Sequence, residues 1–252
     1  MVRKRTSVNL TPCFIAISFL VLANPYSRAA TANWVVWTNF PSSYGSSVVA
    51  GGTTYNYATF ASGYIIDPST GLTNQVTYNG EVNSATASKL AIWANSSTYT
   101  SATVSNLPSP NNSYIALTGY PNLTNQLTFS LPISNFVMNI ASLGNPSTTA
   151  SYNFDSAPVV LSQGSGYWGA QTTPLSVSGN VVSAREGNGT IQFNGTFTSL
   201  IWTTPADEFY SAFTIGATSQ AAVPEPSALS LLAVGLGGVI ALRRVNRKAD
   251  SV

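Results

Sequence analysis

The sequence predicts an all-β fold, an antiparallel β-sandwich of jelly-roll-like type, flanked by an N-terminal signal peptide and a single C-terminal transmembrane helix. Three observations predict it. Side-chain character alternates with a period of two: Tyr55, Tyr57 and Thr59 against Thr54, Asn56 and Ala58, and Phe136, Met138 and Ile140 against Val137, Asn139 and Ala141, as half-buried strands require. Gly, Pro, Asn and Ser punctuate the chain every 8 to 12 residues or so, the spacing of a sandwich or barrel. No window before Ala222 carries a sustained apolar stripe of helical period.

The N-terminus reads as an export signal over residues 1–32. Arg3, Lys4 and Arg5 form a basic start, Cys13 to Ala23 an apolar stretch, and Ala30-Thr31-Ala32 a small-x-small cleavage site, with Ser27-Arg28-Ala29 an alternative. Pro12 and Asn24-Pro25 bound the apolar stretch, which is too short to span a bilayer. The partners it implies are the Sec translocon and signal peptidase. Cys13 leaves with the signal.

Residues 33–222 then form one extracellular domain. Its charges are Lys89 and Arg185 against Asp67, Glu81, Asp155, Glu186, Asp207 and Glu208, a net of −4. The whole-chain value of +2 comes from the two ends, so the domain has no basic patch for nucleic acid. Without a cysteine it has no disulfide, and packing and hydrogen bonds must hold it. Its wealth of aromatic and β-branched residues separates it from disordered chains of similarly low charge.

Within the domain, Asn79-Gly80 and Asn194-Gly195 predict type I′ hairpins, and Gly179-Asn180 a third between Leu175–Ser178 and Val181–Ala184. Further strands are predicted at 33–38, 90–94, 114–117, 123–129, 151–154, 159–161, 198–203 and 209–215. One echo appears, Leu72-Thr-Asn-Gln-Val-Thr-Tyr78 and Leu123-Thr-Asn-Gln-Leu-Thr-Phe129; with no third copy it reads as two strands of like composition and not as a repeat array. Leu107 to Ser113 reads as a surface loop.

The C-terminal stretch, residues 223–252, has three parts. Pro224-Glu225-Pro226 breaks the preceding strand pattern, with Pro226 suited to the first turn of a helix. The uncharged run Ser227 to Leu242 would span about 24 Å as a helix, slightly short for a bilayer core. Arg243, Arg244, Arg247 and Lys248 then form the basic cluster that stays in the cytoplasm, which puts the domain on the far side. In this order and place the stretch resembles the PEP-CTERM sorting signal of Gram-negative bacteria. The resemblance implies an exosortase-type membrane protease as partner, transient anchoring in the inner membrane, removal of the tail, and delivery to the cell surface or an exopolysaccharide matrix. The segments SLGNPSTTASYNFD, GSGYWG, EGNGTIQFNGTFTSLIWT and FTIGA are further similar to an uncharacterised extracellular β domain that often precedes such tails.

The residue inventory limits the chemistry. With no histidine and no mature cysteine, Ser-His-Asp, Cys-His and His-metal sites are excluded. Lys89 reads as a solvated strand-end charge, Glu186 as the solvated partner of Arg185, and Asp207-Glu208 as a turn. No catalytic residue is therefore expected. The alternatives are a purely structural coat protein or a glycosidase using two of Asp155, Glu186, Asp207 and Glu208. No cofactor is expected beyond a structural calcium ion, whose candidate ligands are Asp155, Asp207 and Glu208, although Asp-x-Asp-x-Asp spacing is missing. Glycan binding is the specific expectation. Tyr167 and Trp168 stand between glycines in Gly164-Ser-Gly-Tyr-Trp-Gly169, where flat rings can meet sugar C–H faces or pack over a sheet edge. Trp34, Trp37, Trp93 and Trp202 lie in apolar runs and are expected in the core.

Overall fold

The computed structural model describes residues 30–40, 45–50, 53–86, 92–109, 114–119, 123–206, 208 and 210–218. Most of the signal peptide, Lys89, Asp207, and the whole C-terminal stretch with its motif, apolar run and basic cluster lie outside the described residues. Among the described residues no helix is long and apolar enough to cross a membrane.

The described chain is almost entirely antiparallel β-structure in two sheets. The first sheet has, in spatial order, β11 (Pro158–Gln163), β14 (Gly187–Phe193), β9 (Val137–Leu143), β16 (Ser211–Thr218), β7 (Tyr114–Leu117) and β6 (Ser84–Thr86), with β1 (Ala32–Trp34) also on β16. The second runs β12 (Thr173–Ser178), β13 (Val181–Arg185), β10 (Ala150–Phe154), β15 (Thr196–Thr203), β8 (Thr124–Ser134), β5 (Thr73–Val82), β4 (Thr53–Ile66) and β2 (Val36–Asn39), with β3 (Ser46–Ala50) beside β4. One helical turn, α1 (Ser96–Tyr99), completes the elements.

Alternation sends one face of each sheet into a shared aromatic core. Phe213 of the first sheet meets Tyr78 and Trp202 of the second, each at 5.3 Å between ring centroids. Phe193 meets Phe154 at 4.9 Å and stacks on Phe136 at 5.0 Å. Each such side chain contributes roughly 1.5–3 kcal/mol by leaving water. The four tryptophans expected inside, Trp34, Trp37, Trp93 and Trp202, are all buried.

The first sheet differs from a half-buried one. Its outer face is buried too, through Val137, Asn139, Ala141, Asn188, Thr190, Ala212, Thr214 and Thr218. Residues 92–109 supply the cover: Ile92, Trp93 and Tyr99 pack on Tyr114, Ala116, Ala141 and Ala212, and Val104 packs on Val137. The polar residues beneath are partly satisfied within this layer, where Thr190 Oγ1 lies 2.8 Å from Asn139 Oδ1 and 3.1 Å from the Tyr99 carbonyl. Small and hydroxyl side chains on that face leave room for the cover to approach. Ile92 and Trp93 accordingly form a turn within it, where the sequence predicts a strand.

The two Asn-Gly pairs also depart from expectation. Asn79-Gly80 makes no hairpin, because β5 runs straight through it. A Cβ on Gly80 would stand 2.4 Å from Asn125 Oδ1, so the glycine serves a close approach between strands and not a turn. Asn194-Gly195 does reverse the chain, but between sheets: β14 pairs with β9 and β11, whereas β15 pairs with β8 and β10. Gly179-Asn180 is a true hairpin, with Val177 facing Val182 and Ser178 facing Val181. The stretch 33–38 divides at buried Val35 into β1 and β2, one in each sheet.

Candidate functional site

Four chain segments converge on a cleft of about 410 Å³ at one end of the sandwich. The end of β9 gives Ser142 and the β9–β10 connection Gly144, Asn145 and Pro146; the loop after β11 gives Trp168 and Gly169; the β13–β14 corner gives Glu186; the approach to β16 gives Glu208 and Tyr210. A second cleft of similar volume, lined by Trp34, Val36, Tyr64 and Ile66 among others, has no carboxylate or cation in its described lining.

The aromatic wall is fixed from behind. Asn95 Nδ2 and Thr98 Oγ1, at the start of α1 and within it, donate to the Ser165 carbonyl at 2.8 and 2.7 Å and so pin the loop over the first sheet. Trp168 then meets Tyr210 edge-on at 4.8 Å and Tyr114 at 6.0 Å. Tyr167 crosses Trp168 at 5.3 Å and is 56% exposed. The structure thus divides the two predicted aromatics: Trp168 is half-buried and lines the cleft, and Tyr167 faces solvent.

Backbone strain gathers at the same place. Glu186 and Ser142 have φ of +52° and +57°, a region that non-glycine residues enter at a cost on the order of 1 kcal/mol or more. Gly169, at φ +83°, lies so close that a Cβ there would stand 2.6 Å from the Glu186 Cβ. Glu186 is not paired with Arg185 as the sequence suggested. Its Oε2 accepts from the Thr172 hydroxyl at 2.9 Å and the Ala170 N–H at 3.3 Å, while Arg185 Nε donates to Thr149 Oγ1 at 3.1 Å.

Glu208 departs furthest from expectation. It is no solvated turn acid but is buried, 3% exposed, with Oε1 lacking any hydrogen-bond partner. Burial pushes its carboxyl up to about 8; hydrogen bonds from the Gly144 N–H and the Ser211 hydroxyl oppose that, and the nearby Glu81 carboxylate adds to it. Ser211 Oγ lies 2.8 Å from the Tyr152 hydroxyl, and burial raises that phenol well above its ordinary range. Glu81 is also buried, but its oxygens accept from the Thr118 hydroxyl, the Thr118 N–H at 2.6 Å and the Gly119 N–H at 2.9 Å.

Of the calcium candidates, Asp155 is exposed in the turn after β10 and does not line the cleft, so the structure does not bring it to Glu208. No group of three or more His, Cys, Asp or Glu that could hold a metal occurs among the described residues. Tyr210, Ser142 and Asn145 are cleft residues that sequence reasoning missed. The available signal was the pair Asp207-Glu208 leading into Phe209-Tyr210 and an uncharged strand, which places an acid at the edge of the core.

No curated protein and no solved structure matches the chain. Residues 222–248 match the family model of the PEP-CTERM protein-sorting motif. With Pro224-Glu225-Pro226, the apolar run and the basic cluster inside that match, the chain carries a PEP-CTERM protein-sorting motif, which implies an exosortase substrate marked for export and the cell surface.

Proposed function

We propose that the protein is a non-enzymatic component of the cell surface or extracellular matrix whose β-sandwich holds exopolysaccharide in the Trp168 cleft. The tail serves first as a transient inner-membrane anchor through residues 227–242 and is removed by the exosortase. The observation that carries the reading is the wall of Trp168 and Tyr210 set beside Glu186, Glu208 and Asn145 in one cleft. Indole and phenol faces take the C–H face of a pyranose, and carboxyl and amide groups bond its hydroxyls. Holding is favoured over cleavage because glycoside hydrolysis needs two acids acting across the scissile bond. In this cleft Glu186 Oε2 is already bonded to Thr172 and Ala170. No cofactor is required.

The test is binding of the full-length protein, purified in detergent, to the producing organism's own polysaccharide, with reducing-end release measured in parallel. Trp168→Ala should weaken binding at least tenfold and Tyr167→Ala much less, with no release by either. Unchanged binding in Trp168→Ala removes the cleft from the reading. Release abolished by Glu186→Gln or Glu208→Gln would make the protein an enzyme instead.

A further inference from the structure

We propose that the cleft is built for an amino sugar, a protonated primary amine on the bound glycan donating to Glu208 Oε1 while the ring lies against Trp168. The inference rests on the glycan-binding reading and narrows its ligand class.

Three features lead there. Glu208 is anchored on one side by Gly144 and Ser211, yet its buried Oε1 has no partner, and Glu208 lines the cleft. An acceptor buried without a partner is costly, and Oε1 lies beneath the cleft wall, so a donor recovers that cost once the carboxyl turns toward it. Charge points to the kind of donor. The described lining holds two carboxyl side chains and no Lys or Arg, and Arg185 beside it turns to Thr149. A uronate or sulfate ester would find no cation in that lining to balance its charge. Trp168 and Tyr210 supply the third feature, since aromatic faces attract an ammonium group as well as a sugar ring.

A neutral hydroxyl could fill Oε1, but only a cation alters the balance of charge around it. The groups facing Glu208 are Glu81 from β5, Tyr152 from β10 through Ser211, and Glu186 and Tyr210 in the cleft, none of them a cation. Burial and Glu81 keep the free carboxyl protonated at neutral pH. An ammonium at Oε1 reverses this, so Glu208 ionises on binding and its proton goes to solvent. Binding an amino sugar near pH 5.5, where the amine and the free carboxyl both start protonated, therefore releases close to one proton, and binding a neutral sugar releases none.

The experiment titrates full-length protein in detergent with a β-1,4-glucosamine oligomer, its fully N-acetylated counterpart and an oligogalacturonate. Calorimetry near pH 5.5 in two buffers of different ionisation heat counts the protons. The glucosamine oligomer should bind about tenfold or more tighter than the acetylated one, the worth of a single well-placed charge pair, and alone should release a proton. Glu208→Gln should bring the two affinities together and abolish the release, and Trp168→Ala should weaken both. Equal affinities without proton release, or tightest binding of the galacturonate, overturn the amino-sugar assignment and leave glycan binding standing. If none of the three nor the native polysaccharide binds, both readings fall. The proton count is made on the unaltered protein, so the outcome does not depend on any variant folding.

Discussion

Glu81 and Glu208, 127 positions apart in the chain, are tied to the same residue. Thr118 donates its N–H to Glu81 Oε1 at 2.6 Å, and its carbonyl accepts the Glu208 N–H at 2.7 Å. Two acids are thereby held near each other at one end of the core. Both oxygens of Glu81 have donors; one oxygen of Glu208 has none.

That asymmetry predicts how stability varies with pH. Below the ordinary carboxyl value of 4.5, Glu208 is protonated both folded and unfolded. Between there and about 8 the unfolded chain ionises and the folded one does not, so unfolding releases a proton and stability falls as pH rises. Above about 8 the loss levels off, at a total on the order of 5 kcal/mol. Urea midpoints from pH 5 to 9 should decline through this window. Glu208→Gln, with no proton to lose, should flatten the decline and be the more stable protein at pH 9. A wild-type midpoint independent of pH would show that the carboxyl is solvated.

The echo at residues 72–78 and 123–129 yields a second prediction. The two segments lie on adjacent antiparallel strands, with Val76 opposite Phe129 and Tyr78 opposite Leu127. Each contributes a buried asparagine that reaches across to the other strand. Asn74 bonds both backbone groups of Leu131, at 2.6 and 3.1 Å, and Asn125 Oδ1 takes the Glu81 N–H at 3.0 Å and lies 2.6 Å from the Tyr78 hydroxyl. Asn→Ala at either position strands buried polar groups and should cost about 1–3 kcal/mol in urea unfolding. Asn125→Ala should cost toward the upper end, because it strands the buried Glu81 N–H, while the Tyr78 hydroxyl keeps the Glu81 carbonyl at 2.8 Å. Equal small losses would mean that water replaces the side chains.

The contrast between these asparagines and the Asn-Gly pairs shows what the sequence made legible. Period-two alternation located β7, β8, β10, β11 and β15 closely, because it records which face of a strand meets the core. An Asn-Gly pair records only that a local backbone can turn or that another group comes close. It carries no information on which strand is the neighbour, so Asn194-Gly195 could not show that β14 and β15 belong to different sheets. The site was less legible for the same reason. Tyr167 and Trp168 stood out among glycines, but Glu208 owes its burial to Gly144, Ser211 and Thr118, which are distant or unremarkable in the sequence. Its burial depends on how the second layer and the β9–β10 connection close over it.

The sorting motif makes its own prediction. Exosortase processing requires recognition of the tail, so replacing Pro224-Glu225-Pro226 with three alanines should leave the full-length chain in the inner-membrane fraction. Immunoblotting of membrane and surface fractions reads this directly. Release of that variant at the normal size and rate would detach the motif from the processing event.

The last prediction concerns the start of the exported protein, where the sequence offers two cleavage positions and the fold distinguishes between them. Ala30 donates its N–H to the Thr103 carbonyl at 3.0 Å and accepts from the Ser105 N–H at 2.9 Å. Ala32, 2% exposed, exchanges bonds of 2.7 and 2.8 Å with the Asn106 side chain and opens β1 opposite Thr218. Cleavage after Ala32 would discard these contacts, including the Ala32–Thr218 pair of β1 with β16. Cleavage after Ala29 keeps all of them, since the new α-amino group at Ala30 can still donate. The released protein should therefore begin at Ala30, as N-terminal sequencing or intact mass will report. A chain made to begin at Asn33 should be less stable by about 2–4 kcal/mol, at roughly 0.5–1.5 kcal/mol for each hydrogen bond lost. A native N-terminus at Asn33, with stability unchanged by adding back Ala30-Thr31-Ala32, would show that these residues belong to the signal and not to the fold.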